Sequence, residues 1–247
     1  MEIWEYLLLF VSVALGGGLA FFLRQFRSRW VQLLLAFSGA YILGITALHL
    51  LPSVYHEQQA TIGLWVLFGF FLQLILEQLS KGVEHGHIHA HHHAGSGFAI
   101  SIMLGLCLHA FLEGLPLSHY HELAHIPHAD HRWWENGNHL LFGIILHKIP
   151  AAFALVTILL RSDFKPPVAL GMLLIFASMS PLAATLADVS DWGTRWLVQI
   201  VAIVVGSFLH ISTTILFESD DRHQHRISWK KLLAIGLGLG MGILSAV

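Results

Sequence analysis

Eight apolar runs, each long enough to cross a bilayer, leave this chain little choice of fold; they cover residues 3–23, 31–54, 60–80, 97–118, 139–160, 167–188, 195–217 and 229–246. A spanning helix takes about 20 mostly apolar residues, because a rise of about 1.5 Å per residue must cover about 30 Å of hydrocarbon. So many segments that are apolar all round do not fit the amphipathic helices of a soluble core. Charge agrees: Asp, Glu, Lys and Arg make up 11% of the chain, where soluble domains carry about a quarter. The expected fold is all-α, a polytopic membrane protein with a bundle of eight transmembrane helices in one domain (1–247), solvated by membrane lipid. The first run begins at Ile3 with no basic stretch ahead of it, so it reads as a first membrane helix rather than a cleaved leader.

Loop charges set the orientation. With the N-terminus outside, the cytoplasmic loops hold ten Lys or Arg: Arg24, Arg27, Arg29, Lys81, Arg161, Lys165, Arg222, Arg226, Lys230 and Lys231. The outer loops hold Arg132 and Arg195 alone. The positive-inside rule then makes both termini extracytoplasmic. A net charge of −2 without a basic excess gives no reason to expect nucleic acid as a partner. The single cysteine, Cys107, excludes an internal disulfide framework and a thiolate cage, and reads as a packed thiol. No ATP-binding or other organic-cofactor motif is evident.

Histidine is the anomaly, with 19 copies against 13 Lys plus Arg. Two loops carry most of it. A cytoplasmic loop, 81–97, contains EHGHIHAHHH at 84–93, where His85, His87, His89, His91, His92 and His93 form a tract suited to capturing metal. An extracytoplasmic loop, 119–138, holds His119, His121, His125, His128 and His131, with His139 just beyond it. This outer cluster can gather metal at an entrance or simply titrate with pH.

Ionisable groups at membrane depth are costly and normally face a bundle interior or a watery path. Here they are His49, Glu77, His109, Glu113, His147, Lys148 and His210, with Glu77 near enough to a helix end to reach the interface. His109 and Glu113 stand four apart in LCLHAFLEGLPL, so they share one helix face. Imidazole with carboxylate suits zinc, iron, manganese or nickel better than soft copper(I). In GIILHKIPAAFAL, His147 precedes Pro150 by three residues, and His49 precedes Pro52 by the same spacing. Proline leaves a carbonyl one turn back without its donor. Interrupted helices bearing ligand-type side chains near the break are how transporters build midplane sites. A membrane histidine or proline taken alone has a plain structural explanation as an interhelical hydrogen bond or a kink. An acid and a base on one face of an apolar helix are harder to explain as packing. The glycines at 16–18 and at 236, 238, 240 and 242 read as helix-packing surface.

Taken together these motifs resemble the ZIP (Zrt/Irt-like) family of divalent metal transporters. HLLP at 49–52 and GFFLQLILEQL at 69–79 resemble its second and third helices, HAFLEG at 109–114 its fourth and HKIPAA at 147–152 its fifth; Pro181 and the stretch 206–218 fit the sixth and seventh. The resemblance implies eight helices with both termini outside. It also implies a metal site between helices 4 and 5, with His109, Glu113 and His147 at ligand positions. Four positions depart from the family pattern: Ala110, Lys148, Ala151 and Ala152 stand where it has asparagine, an acid, a ligand and glutamate. The expected site therefore holds one metal ion, with Lys148 as a tethered counter-charge at the second position and His49, His210, water or a freed carbonyl completing the shell. The function expected is transport of a divalent transition metal, zinc first, into the cytoplasm across the cell membrane, with the metal ion as substrate and no enzymatic activity. Two alternatives stay open, an intramembrane metal-dependent hydrolase and a non-transporting metal-sensing homologue, and a homodimer is among the assemblies allowed.

Overall fold

The computed structural model describes residues 2–22, 28–56, 60–83, 96–120, 138–217 and 228–245. Among them every long element is a helix and there is no strand. The helices are α1 (Ile3–Phe22), α2 (Ser28–Ile45), α3 (Ile62–Ser80), α4 (Ser96–Gly114), α5 (Asn138–Arg161), α6 (Pro166–Asp188), α7 (Leu197–Phe217) and α8 (Trp229–Leu244). A short helix, Asp191–Arg195, links α6 to α7. The second span continues beyond α2 through a π turn at Thr46–Leu50 and a last helical piece, Leu51–His56. Among the described residues seven helical spans are long and apolar enough to cross a membrane; α8, at 16 residues, is shorter than these.

Local chemistry places the breaks. Pro52 has no N–H, and its ring would press on the carbonyl one α turn back; the backbone widens just before it, with the Leu51 N–H bonding to the Thr46 carbonyl. At Pro116 the α4 helix tightens instead into a 3-10 turn, Leu115–Ser118. Pro150 and Pro181 lie inside continuous α5 and α6. Pro166 opens α6, where its missing N–H costs nothing. Ser228 caps α8, its hydroxyl oxygen accepting from the Lys231 N–H at 3.2 Å.

The strongest helix pairings are α7 on α3, α8 on α2, α1 on α5 and α4 on α6. α5 and α7 are the most enclosed spans. α3 shows Leu64, Leu67, Phe68, Phe71, Leu74 and Ile75 on its exposed side. An apolar face of that size marks contact with lipid rather than water.

Glycine sets the closest approaches, as small residues do where lipid offers helices no hydrophobic drive to associate. A Cβ on Gly69 would land 2.7 Å from the Ile203 carbonyl carbon, and one on Gly206 would land 2.6 Å from the Phe70 nitrogen. The α3 and α7 backbones thus touch at both crossings. Gly16 and Gly238 sit in the same way against α5 and α2, whereas Gly18, Gly236 and Gly240 face open space. Gly206→Val is expected to overpack the α3–α7 seam and cost about 1–3 kcal/mol or more, whereas Gly240→Val should be close to neutral. Thermal unfolding in detergent compares the two, and equal midpoints would contradict the seam.

Candidate functional site

α4 and α5 bring four buried polar groups together. His109, Glu113, His147 and Lys148 are 3%, 2%, 1% and 2% exposed. The helical spacing of His109 and Glu113 puts Nε2 3.4 Å from Glu113 Oε2. The His147 ring meets the His109 ring edge to face, with centroids 5.7 Å apart. Lys148, next in sequence to His147, forms an ion pair through Nζ with Glu113 Oε1. A lone charge at this depth is expensive, so carboxylate and ammonium each make the burial of the other tolerable. Lys148 Nζ also lies 5.0 Å from the centre of the Phe176 ring of α6, within cation–π range.

α6 holds the other side of Glu113. Ser180 donates to the Ala110 carbonyl at 2.5 Å, and its oxygen is 3.5 Å from Glu113 Oε1. This approach needs Gly114, where a Cβ would stand 2.7 Å from Ser180 Cα. Ala110, Ala151 and Ala152 are buried in the apolar core beside the cluster. Ala152 faces Gly16 closely enough that a Cβ there would be 3.1 Å from its own. The helix α1 therefore packs where a longer side chain at 152 would need room.

The remaining predicted residues lie elsewhere. His49 is in the π turn and stacks on His139, with centroids 4.6 Å apart and planes 16° from parallel. His139 begins α5 two turns before His147, about 12 Å along the axis. His210 of α7 bonds through Nε2 to Glu77 Oε2 of α3 at 2.5 Å, and Phe70 meets its ring edge-on. His119 lies 3.2 Å through Nε2 from the Ala187 carbonyl. His85, His87, His89, His91, His92 and His93 lie outside the described residues, as do His121, His125, His128 and His131. Sequence reasoning passed over Gln73, which is fully buried on α3 with Oε1 3.0 Å from His109 Nδ1 and 2.9 Å from Ser207 Oγ. The available signal was an amide one turn before Glu77 in an otherwise apolar helix.

Two imidazoles and a carboxylate lie close together here, groups of the borderline softness that zinc and its neighbours prefer. Among the described residues no three or more His, Cys, Asp or Glu side chains are placed so that they could hold a metal ion together. The ammonium lies on the carboxylate instead, so a cation approaching Glu113 must compete with Lys148.

Residues 81–247 match the family model described as ZIP zinc transporter. The chain belongs to the ZIP family. The matched stretch contains α4 to α8, and so all four residues of the buried cluster, while HLLP at 49–52 and the α3 motif lie before it. Membership and seven apolar spans make this a multi-pass integral membrane protein. "Zinc transporter ZIP9" of Micropogonias undulatus is 28% identical over 174 residues, covering 64% of this chain and 51% of that protein. The chain thus spans about half the length of the curated relative it matches.

Proposed function

We propose that this ZIP-family protein carries a divalent transition metal, zinc first, into the cytoplasm through a site between α4 and α5. His109, Glu113 and His147 are its ligands and Lys148 its tethered counter-charge. The observation that carries this reading is the burial of two imidazoles and one carboxylate against each other across two apolar helices. A dicationic ion reaching Glu113 displaces the Lys148 ammonium, which swings back when the ion leaves. The site is then never left with an uncompensated carboxylate, and the ion is not held in a rigid, complete shell from which it would escape slowly. Release into the cytoplasm is driven by ion gradients or by metal sinks inside.

α8 serves as the eighth span, which puts both termini outside. Its exposed Trp229 and Lys230 are interfacial anchors of the kind that let a short helix cross. The loop 81–97 is then cytoplasmic and 119–138 extracytoplasmic, and the cell membrane is the location this arrangement serves. Deleting 85–93, which removes the capture tract, is expected to change transport rate or its regulation while leaving metal preference intact. Competition among zinc, iron and manganese in the same flux assay checks this; an altered preference order would place those histidines in the selectivity step.

The test of the whole reading is zinc flux into proteoliposomes, set beside zinc binding to the same preparation. One observation favours a second reading, a metal-sensing homologue that does not transport: an ammonium occupies the carboxylate, and among the described residues no three His, Cys, Asp or Glu are placed to hold a metal ion together. Binding without flux would move the assignment to that sensor.

A further inference from the structure

We infer that Gln73 is the positioning residue that fixes the His109 tautomer and aims its Nε2 lone pair at Glu113. The amide oxygen of Gln73 lies 3.0 Å from His109 Nδ1 and accepts from the Ser207 hydroxyl at 2.9 Å. An amide oxygen has lone pairs and no proton, so the ring nitrogen facing it must be the donor. A neutral imidazole that donates from Nδ1 carries its lone pair on Nε2. That is the nitrogen 3.4 Å from Glu113 Oε2. Nitrogen and carboxylate oxygen then present electron pairs to the same space, as a cation requires.

A packing role does not account for this residue. α3 turns much of its surface to lipid, yet Gln73 is 0% exposed, on the stripe that also buries Gly69, Leu76 and Ser80. Burying an amide in an apolar bundle costs free energy that leucine of similar size would avoid. The amide is useful there only for what it bonds. Ligand histidines generally need a partner on the second nitrogen to fix tautomer and ring orientation and to raise basicity. Here the partner comes from a different helix pair, so the α3–α7 seam, closed by Gly69 and Gly206, sets the aim of a group on α4.

The inference rests on the proposed site between α4 and α5, and two measurements separate its failure from that site's. The first is metal-free: long-range nitrogen–proton NMR of the full chain in detergent with labelled histidine, the His109 signals being assigned by their loss in His109→Ala. Wild type is expected to show His109 protonated on Nδ1 alone. Gln73→Leu should give mixed tautomers, and Gln73→Glu, which still offers an accepting oxygen, should keep Nδ1 protonated. The second uses cobalt(II), following the visible band that disappears in His109→Ala. Gln73→Leu should weaken cobalt binding at that band about 10- to 100-fold, with Gln73→Glu near wild type. A Leu variant that keeps both the tautomer and the cobalt affinity overturns the inference and leaves the proposed site standing. Cobalt absorption unchanged by His109→Ala overturns the site and the metal part of the inference together. Should Gln73→Leu not fold, the wild-type spectrum decides, because a His109 protonated on Nε2 excludes the role.

Discussion

Replacing Lys148 by methionine is expected to cost the metal-free protein about 3–5 kcal/mol of stability, and zinc should restore most of it. Both charges of the pair are nearly sealed from water, at 2% exposure each. Methionine keeps the length and the apolar stem of the side chain but leaves the Glu113 carboxylate without a counter-charge. The ammonium's contact with the Phe176 ring is lost as well. Zinc would reach the carboxylate without displacing an ammonium, so its affinity should rise while release slows. Lys148→Glu extends the trend, since two adjacent carboxylates repel each other until a divalent ion neutralises them. Thermal unfolding in detergent, in chelator and then in zinc, reads both effects. A methionine variant whose midpoint in chelator equals that of wild type would contradict the ion pair as a structural element.

The second large effect is expected from His109→Ala: zinc flux should fall to that of empty vesicles, and affinity by more than the roughly 10- to 100-fold typical of a lost outer-shell partner. His109 lies between Gln73 on one side and Glu113 on the other. Its removal takes away a ligand and also cuts the link between α3 and the carboxylate. The fold should survive, because Gln73 keeps its bond from Ser207 and Glu113 keeps Lys148; losing one buried hydrogen bond costs about 1–3 kcal/mol. Flux and isothermal titration on the same preparation check the pair of effects. Full flux with the ring gone would place the permeation path elsewhere.

Seven of the eight expected spans were legible among the described residues, because lipid imposes a length and a composition on each helix separately. Predicted 97–118 and 139–160 correspond to apolar spans at Gly97–Ser118 and His139–Arg161. The α4–α5 cluster was legible for a related reason. Spacing along one helix fixes the shared face of His109 and Glu113, and the neighbouring motif supplies His147 and Lys148. Contacts between helices distant in sequence were not legible. Gln73 meets His109 across 36 residues, and Glu77 meets His210 across 133. Nothing periodic in either helix announces such a partner. His49 shows the same limit: its proline spacing matches that of His147, yet tertiary packing stacks it on His139. The small residues marked as packing surface divide likewise, since Gly238 meets the Phe37 carbonyl while Gly236 and Gly240 meet nothing. Only the crossing of a neighbouring helix decides which side of a glycine stripe is used.

The wide turn at Thr46–Leu50 acts as a phase shifter in the second span. It accommodates one residue more than a regular turn, so everything after it is rotated relative to what a continuous α-helix would give. Removing a single residue there would let the winding close up to a regular α turn and leave the segment Leu51–His56 facing as it does now. Ser53 and Val54 would stay buried, and Tyr55 and His56 exposed. A one-residue deletion at this point should therefore disturb the span less than one made within the regular helix Ser28–Ile45, which would rotate everything after it by about 100°.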